Sequence, residues 1–236
     1  MSAMPEPRER TKDRLVLPLL RSTAVGVAGL GLLLFLPAGT LNYWQAWVLI
    51  AVFVLGSNAL GLYLATHDPE LLERRKQAGP RAETRLAQKI IISILIVALI
   101  AMLVLSALDH RFGWSDVPAA VSLAGDVLAA LGLYITFLVV KENTFSAANI
   151  KVFKDQKVIS TGPYALVRHP MYTGTLLFTL ASPPALGSWW GLLPVLLVIP
   201  MLVWRIFDEE KLLNAELPGY ADYTRKVRYR LVPFVW

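Results

Sequence analysis

The chain has 236 residues, of which 56% are hydrophobic and 17% charged, with a mean hydropathy of +0.53. It is far more apolar than a soluble domain and reads as a polytopic membrane protein. The absence of cysteine excludes disulfides, Cys-ligated zinc and a thiolate nucleophile, and His67, His110 and His169 stand too far apart for metal-ligand spacing, so no metal site is expected. The net charge of +6 fits basic loops on an anionic leaflet, and no aromatic-basic interleaving points to nucleic acid.

Residues 1–18 are polar and basic and lead into an apolar run at 19–36 that reads as a first transmembrane helix. The small residues Pro37, Ala38 and Gly39 would also suit signal cleavage, but the run is long for a signal peptide. Interfacial aromatics follow in NYWQAW, with Trp44 and Trp47 as belt anchors, and residues 48–65 form the second span. Residues 66–89 turn charged and predict a short amphipathic surface helix broken at Gly79-Pro80. A third span at 90–108 and a fourth at 118–140 flank DHRFGWSDV. Asp109, His110, Arg111 and Asp116 in that link are of catalytic type, yet the expectation is a solvated loop. Asp126 lies inside the fourth span, where an ionisable group is costly and faces protein or water.

The chemistry is densest at residues 161–174, TGPYALVRHPMYTG. Proline pushes its predecessor toward extended geometry and suits the first turn of a helix, so Arg168 and His169 are expected at the mouth of a helix starting near Pro170. On residue types alone the stretch is either a site or a polar hinge with a satisfied histidine and a snorkelling arginine. Residues 172–181 supply only about 15 Å of apolar helix before Ser182-Pro183-Pro184 interrupts it. A second run at 189–204 holds Pro194 and Pro200, which predicts a kinked hairpin, and residues 205–236 form a polar tail. At the start of that tail, Arg205, Asp208 and Glu209 are spaced to share one helical face, although Arg205 by position could also snorkel. Pairing the apolar segments as hairpins leaves every Lys and Arg except Arg111 on one side, together with both termini. The positive-inside rule assigns that side to the cytoplasm. The expected architecture is an all-α membrane bundle of five to six segments. Residues 1–140 carry the first four helices, and residues 141–236 carry the motif, hairpin and tail as a catalytic region.

The elements Thr161-Gly162-Pro163-Tyr164, Arg168-His169-Pro170-Met171-Tyr172-Thr173-Gly174 and, after a hairpin, Asp208-Glu209-Glu210-Lys211-Leu212 resemble the isoprenylcysteine carboxyl methyltransferase and phospholipid methyltransferase superfamily. The resemblance covers about residues 141–236, with Gly219-Tyr220-x-x-Tyr223 and Val232-Pro233 following the pattern in the tail. It departs at Pro218-Gly219, where many relatives have Phe-Gly, and at Arg230-Leu231-Val232-Pro233, which replaces Arg-Val-Pro. The resemblance implies that S-adenosylmethionine binds a cytoplasmic pocket through Gln156, Lys157, Val158, Ile159, Tyr164, His169, Pro170, Met171, Tyr172 and Glu209, with Asn149 a weaker match. It places Arg205 beside the substrate.

Glu209 can accept hydrogen bonds from ribose hydroxyls or an amino group, and Tyr164 and Tyr172 can pack on the adenine or the sulfonium. Arg168 or Arg205 can clamp a carboxylate or phosphate. A carboxylate acceptor, the favoured one, needs no general base; an amine acceptor needs one, for which His169 or Glu210 are the candidates. The expected acceptor is a lipid or other lipophilic small molecule entering from the bilayer. The basic loops and absent cysteines fit a bacterial or archaeal inner membrane, and oligomeric state is unreadable from one sequence. Two other readings remain open: an NADPH-dependent membrane isoprenoid or sterol reductase, and a non-catalytic scaffold or transporter.

Overall fold

The computed structural model describes residues 7–146, 149–153 and 155–236, with side chains from Leu20 onward. Among these residues there are eight α-helices and no strand. They are α1 (Pro7–Ala38), α2 (Trp44–His67), α3 (Pro69–Lys76), α4 (Leu86–Phe112), α5 (Ala119–Glu142), α6 (Pro170–Ala185), α7 (Leu192–Glu216) and α8 (Tyr220–Lys226). Four segments, Leu20–Ala38, Trp44–His67, Leu86–Phe112 and Ala119–Glu142, are long and apolar enough to cross a membrane. The protein is an integral membrane helix bundle.

Polar contacts mark two ends. At the first, the Tyr43 hydroxyl donates to the Leu186 carbonyl at 2.7 Å, and the Ser188 hydroxyl donates to Asp109 Oδ2 at 2.5 Å. Ser115 donates to the same carboxylate from its N–H at 2.7 Å and its hydroxyl at 2.6 Å. The expectation of a solvated loop therefore fails for Asp109 and His110. Both lie in the last turn of α4, Asp109 is 1% exposed, and His110 stacks on Tyr43 at 3.8 Å. The chain leaves α4 only at Gly113, whose φ of +64° closes the helix in a left-handed cap. Arg111 shares this end, within 3.5 Å of the Pro37 carbonyl. The second end gathers α3, the start of α4, the described residues between α5 and α6, and the end of α7 with its tail.

The last hairpin differs from its expectation in two ways. First, Pro183 and Pro184 do not interrupt α6 at residue 182; they lie within its final turn, where each removes an N–H that would have bonded four residues back, at Thr179 and Leu180. The carbonyls of Ser182, Pro183 and Pro184 accept from Leu186, Ser188 and Gly187, which caps the helix. Second, α7 does not stop at Trp204. It continues unbroken to Glu216, so Arg205, Asp208, Glu209 and Glu210 belong to a long helix, and the tail begins at Leu217. Asp126 does face the interior, at 5% exposure, and neither of its oxygens nor the Ser122 hydroxyl has a hydrogen-bond partner among the described residues.

The closest helix packing joins α5 to α6. A Cβ placed on Gly132 would stand 2.6 Å from the Gly174 carbonyl oxygen, and one on Gly174 would stand 2.6 Å from the Gly132 oxygen. Backbone meets backbone here, as small residues allow between membrane helices. Gly132→Val is therefore expected to destabilise the bundle by about 1–3 kcal/mol through overpacking. The check is the thermal midpoint in detergent; an unchanged midpoint would show slack between α5 and α6.

Candidate active site

The motif is built from local geometry outward. Gly162 adopts φ +56°, a left-handed conformation that opens a 3-10 turn over Gly162–Ala165. That turn sets Tyr164 so that its hydroxyl accepts from Asn143 Nδ2 at 2.9 Å while its carbonyl accepts from the Tyr223 hydroxyl at 2.7 Å. His169 is non-helical, at φ −124° and ψ 59°, and Pro170 opens α6, as the His-Pro step predicts. The tail pairs with the motif through its backbone. Arg168 N–H donates to the Tyr229 carbonyl and His169 N–H to the Arg230 carbonyl, both at 2.9 Å, and the Thr173 hydroxyl donates to Leu231 at 2.7 Å.

Two adjacent glutamates on α7 divide the polar contacts. Glu210, 7% exposed, receives Arg168 at 3.1 Å, His169 Nε2 at 3.2 Å and Arg230 Nε at 3.0 Å. Arg168 thus does not snorkel to headgroups. Glu209 accepts from the Tyr172 hydroxyl at 2.6 Å and lies 3.8 Å from His169 Nδ1.

One turn earlier, Arg205 is only 5% exposed, so it does not snorkel either. Its Nε donates to the Tyr172 hydroxyl at 3.0 Å, and its Nη1 donates to Gln88 Oε1 at 2.5 Å. Both Nη1 and Nη2 donate to Glu83 Oε1 at 3.1 Å. Gln88 in turn donates to Asp208 Oδ2 at 2.5 Å, and Arg85 pairs with Asp208.

These groups surround a cleft of about 880 Å³, counting the part open to solvent. The cleft brings together Arg168, His169, Arg205, Asn149, Gln156, Lys157, Val158, Ile159, Tyr164, Pro170, Met171, Tyr172 and Glu209. Asn149 donates through Nδ2 to the Ala82 carbonyl at 3.1 Å, while its Oδ1 is buried without a hydrogen-bond partner among the described residues. Gln156 is turned to its own loop, accepting from Phe153 N–H at 3.0 Å. Sequence reasoning missed Asn143, Tyr220 and Tyr223 on the cleft wall, and Glu83 and Gln88 behind Arg205. The tyrosines had a signal in the Gly-Tyr-x-x-Tyr spacing; Glu83 and Gln88 had none, because polar residues in a charged stretch look solvated. Burial pushes the Tyr164 phenol up to about 12 and also raises those of Tyr220 and Tyr223, so all three stay neutral at physiological pH.

Residues 121–217 match the family model for phospholipid methyltransferases. Over this stretch the chain is similar to that family. The resemblance read from the motif and the acidic cluster is thereby borne out, and the family identifies a membrane methyltransferase. The match spans most of α5, α6, α7 and the cleft residues up to Leu217, and it leaves out Glu83, Gln88 and the tail with Tyr220 and Tyr223. No curated protein matches the chain.

Because Glu210 gathers three cationic or potentially cationic partners in a buried setting, Glu210→Ala is expected to cost about 3–5 kcal/mol by stranding them. Limited proteolysis should then cut within residues 227–236 faster than in the parent protein. An intact, equally protected tail would show that the backbone pairing alone holds it.

Proposed function

We propose that the protein transfers a methyl group from S-adenosylmethionine to a lipophilic acceptor at the cytoplasmic face of the membrane. The observation that carries this reading is the convergence of the motif, the 149–159 segment, Arg205 and Glu209 on one cleft. When bound, the cofactor supplies an electrophilic methyl group on a sulfonium.

The residues present fit that group. Glu209 and the unpartnered Asn149 Oδ1 offer acceptors for hydroxyl or amino donors, and Tyr164 and Tyr172 offer aromatic walls for an adenine or a cation. Arg75, Arg85, Arg168, Arg205 and Arg230 make their contacts at the end that holds the cleft, whereas Arg111 reaches Pro37 at the other, which supports a cytoplasmic site. Beside the inward-facing Arg205, Trp204 and Phe207 are 43% and 50% exposed on the outer surface of α7, which suits an acceptor arriving from the bilayer.

The chain's chief task is placement, since aligning the acceptor with the S–methyl bond supplies much of the available rate gain. For a carboxylate acceptor, Arg205 orients the oxygen in a dry setting and no base is needed. A second reading, an amine acceptor, is favoured by the His169–Glu210 contact at 3.2 Å, which gives an imidazole oriented to take a proton. The engagement of Arg205 with Glu83 also favours it, because a carboxylate acceptor would have to share that guanidinium.

Calorimetry of the purified protein against S-adenosylmethionine, S-adenosylhomocysteine and NADPH tests the reading. Binding of the first two is expected; binding of NADPH alone would make the protein a reductase, and binding of none would make it a scaffold. Mass spectrometry of a lipid extract incubated with labelled cofactor then separates carboxylate from amine acceptors. Glu209→Ala should weaken cofactor affinity about tenfold or more, near 1.4 kcal/mol. Arg205→Ala should leave that affinity nearly intact and lower turnover about tenfold or more. Equal loss of cofactor affinity in both variants contradicts this division of roles.

A further inference from the structure

The loop between α3 and α4 lies outside the matched stretch, yet it reaches both halves of the cleft. Glu83 is 4% exposed, and its two oxygens have separate partners. Oε1 receives Nη1 and Nη2 of Arg205 at 3.1 Å, whereas Oε2 receives the backbone N–H of Ile150 at 3.3 Å. The neighbouring Ala82 carbonyl receives Asn149 Nδ2 at 3.1 Å, so two consecutive loop residues grip two consecutive residues of the cleft wall. The start of α4 secures the other side, with Arg85 on Asp208 and Gln88 on both Arg205 and Asp208.

We infer that Glu83 is a positioning residue that joins the acceptor side of the site to the cofactor side. One carboxylate oxygen aims Arg205, and the other fixes the backbone at Ile150, a residue of the cleft wall that would line a bound cofactor. The inference rests on the methyltransferase reading above. Its physical basis is the buried guanidinium, which holds one orientation only while a full negative charge and in-plane acceptors answer it. The same carboxylate is strongly fixed by that arginine, so its second oxygen becomes a rigid anchor for an otherwise irregular loop. The two functions share one side chain and are lost together.

The test uses the full-length protein in lipid nanodiscs, with Glu83→Gln as the isosteric neutral variant and Glu83→Asp as the charge-retaining one. Glu83→Gln is expected to lower kcat about tenfold and to weaken S-adenosylmethionine affinity about threefold or more, two losses that Arg205→Ala and Glu209→Ala should show separately. In the cofactor-free protein, the Ile150 amide should exchange hydrogen faster in Glu83→Gln than in the parent. Glu83→Asp should recover part of kcat. In the Arg205→Ala background, Glu83→Gln should cost no further turnover at saturating cofactor but still weaken cofactor affinity. If Glu83→Gln does not fold, the exchange and affinity measurements on Glu83→Asp decide, and parental values for both overturn the inference. A parent protein that binds cofactor, beside a Glu83→Gln variant with unchanged kcat and affinity, overturns the inference and leaves the function standing. A lowered thermal midpoint with parental kcat, affinity and Ile150 exchange makes Glu83 merely structural and also overturns it. A parent protein that binds no S-adenosylmethionine overturns the function, and the inference with it.

Discussion

A guanidinium removed from water must have its charge and its planar donors answered by the protein, and Arg205 imposes that requirement on four parts of the chain at once. Tyr172 comes from α6, Gln88 from α4, Glu83 from the loop before it, and Arg205 itself from α7. Each satisfies the arginine only in one relative placement of its element. The register of α7 against α4 and α6 at this end of the bundle is thus set by polar geometry, whereas apolar contacts such as Ala98 against Val198 and Leu202 would tolerate sliding. Tyr172 then passes the constraint onward, because the hydroxyl that accepts from Arg205 donates to Glu209.

Glu209 and Glu210 show how one helix serves two tasks. Successive residues on an α-helix point about 100° apart, so adjacent glutamates face different neighbours. Glu209 looks toward Tyr172 and the cleft, while Glu210 looks toward Arg168, His169 and the returning tail. The tail closes on the motif through backbone groups at Arg168 and His169, which leaves the side chains of both residues directed at Glu210. Both residues stand ahead of the first turn of α6, so their backbone N–H groups have no partner within the helix and are open to the tail.

Much of this was legible in the sequence. Hydropathy located the membrane helices, the His-Pro step placed the start of α6, and the Arg205 to Glu209 spacing placed both residues on one face. Two kinds of error remained. Prolines were read as interruptions, whereas α6 runs on through Pro183 and Pro184 to Ala185. Charged residues next to predicted loops were read as solvated, because composition reports how often a type is exposed and not what a distant helix brings to it. Asp109 is enclosed in part by Ser188, 79 residues away, and Glu83 by Arg205, 122 residues away, separations that no local pattern encodes.

Gly174, the last residue of the motif that carries the resemblance, is occupied with something other than chemistry. It lies against Gly132 so closely that neither position has room for a methyl group. A mutational scan scored by activity would mark Gly174 as indispensable beside Arg168 and His169, and a reader of that scan would add it to the reacting groups. Its contribution is spacing: it lets α6, the helix from which Tyr172 reaches Arg205 and Glu209 of α7, lie close against α5. Part of what makes such a motif recognisable is therefore a record of how far apart two helix axes stand.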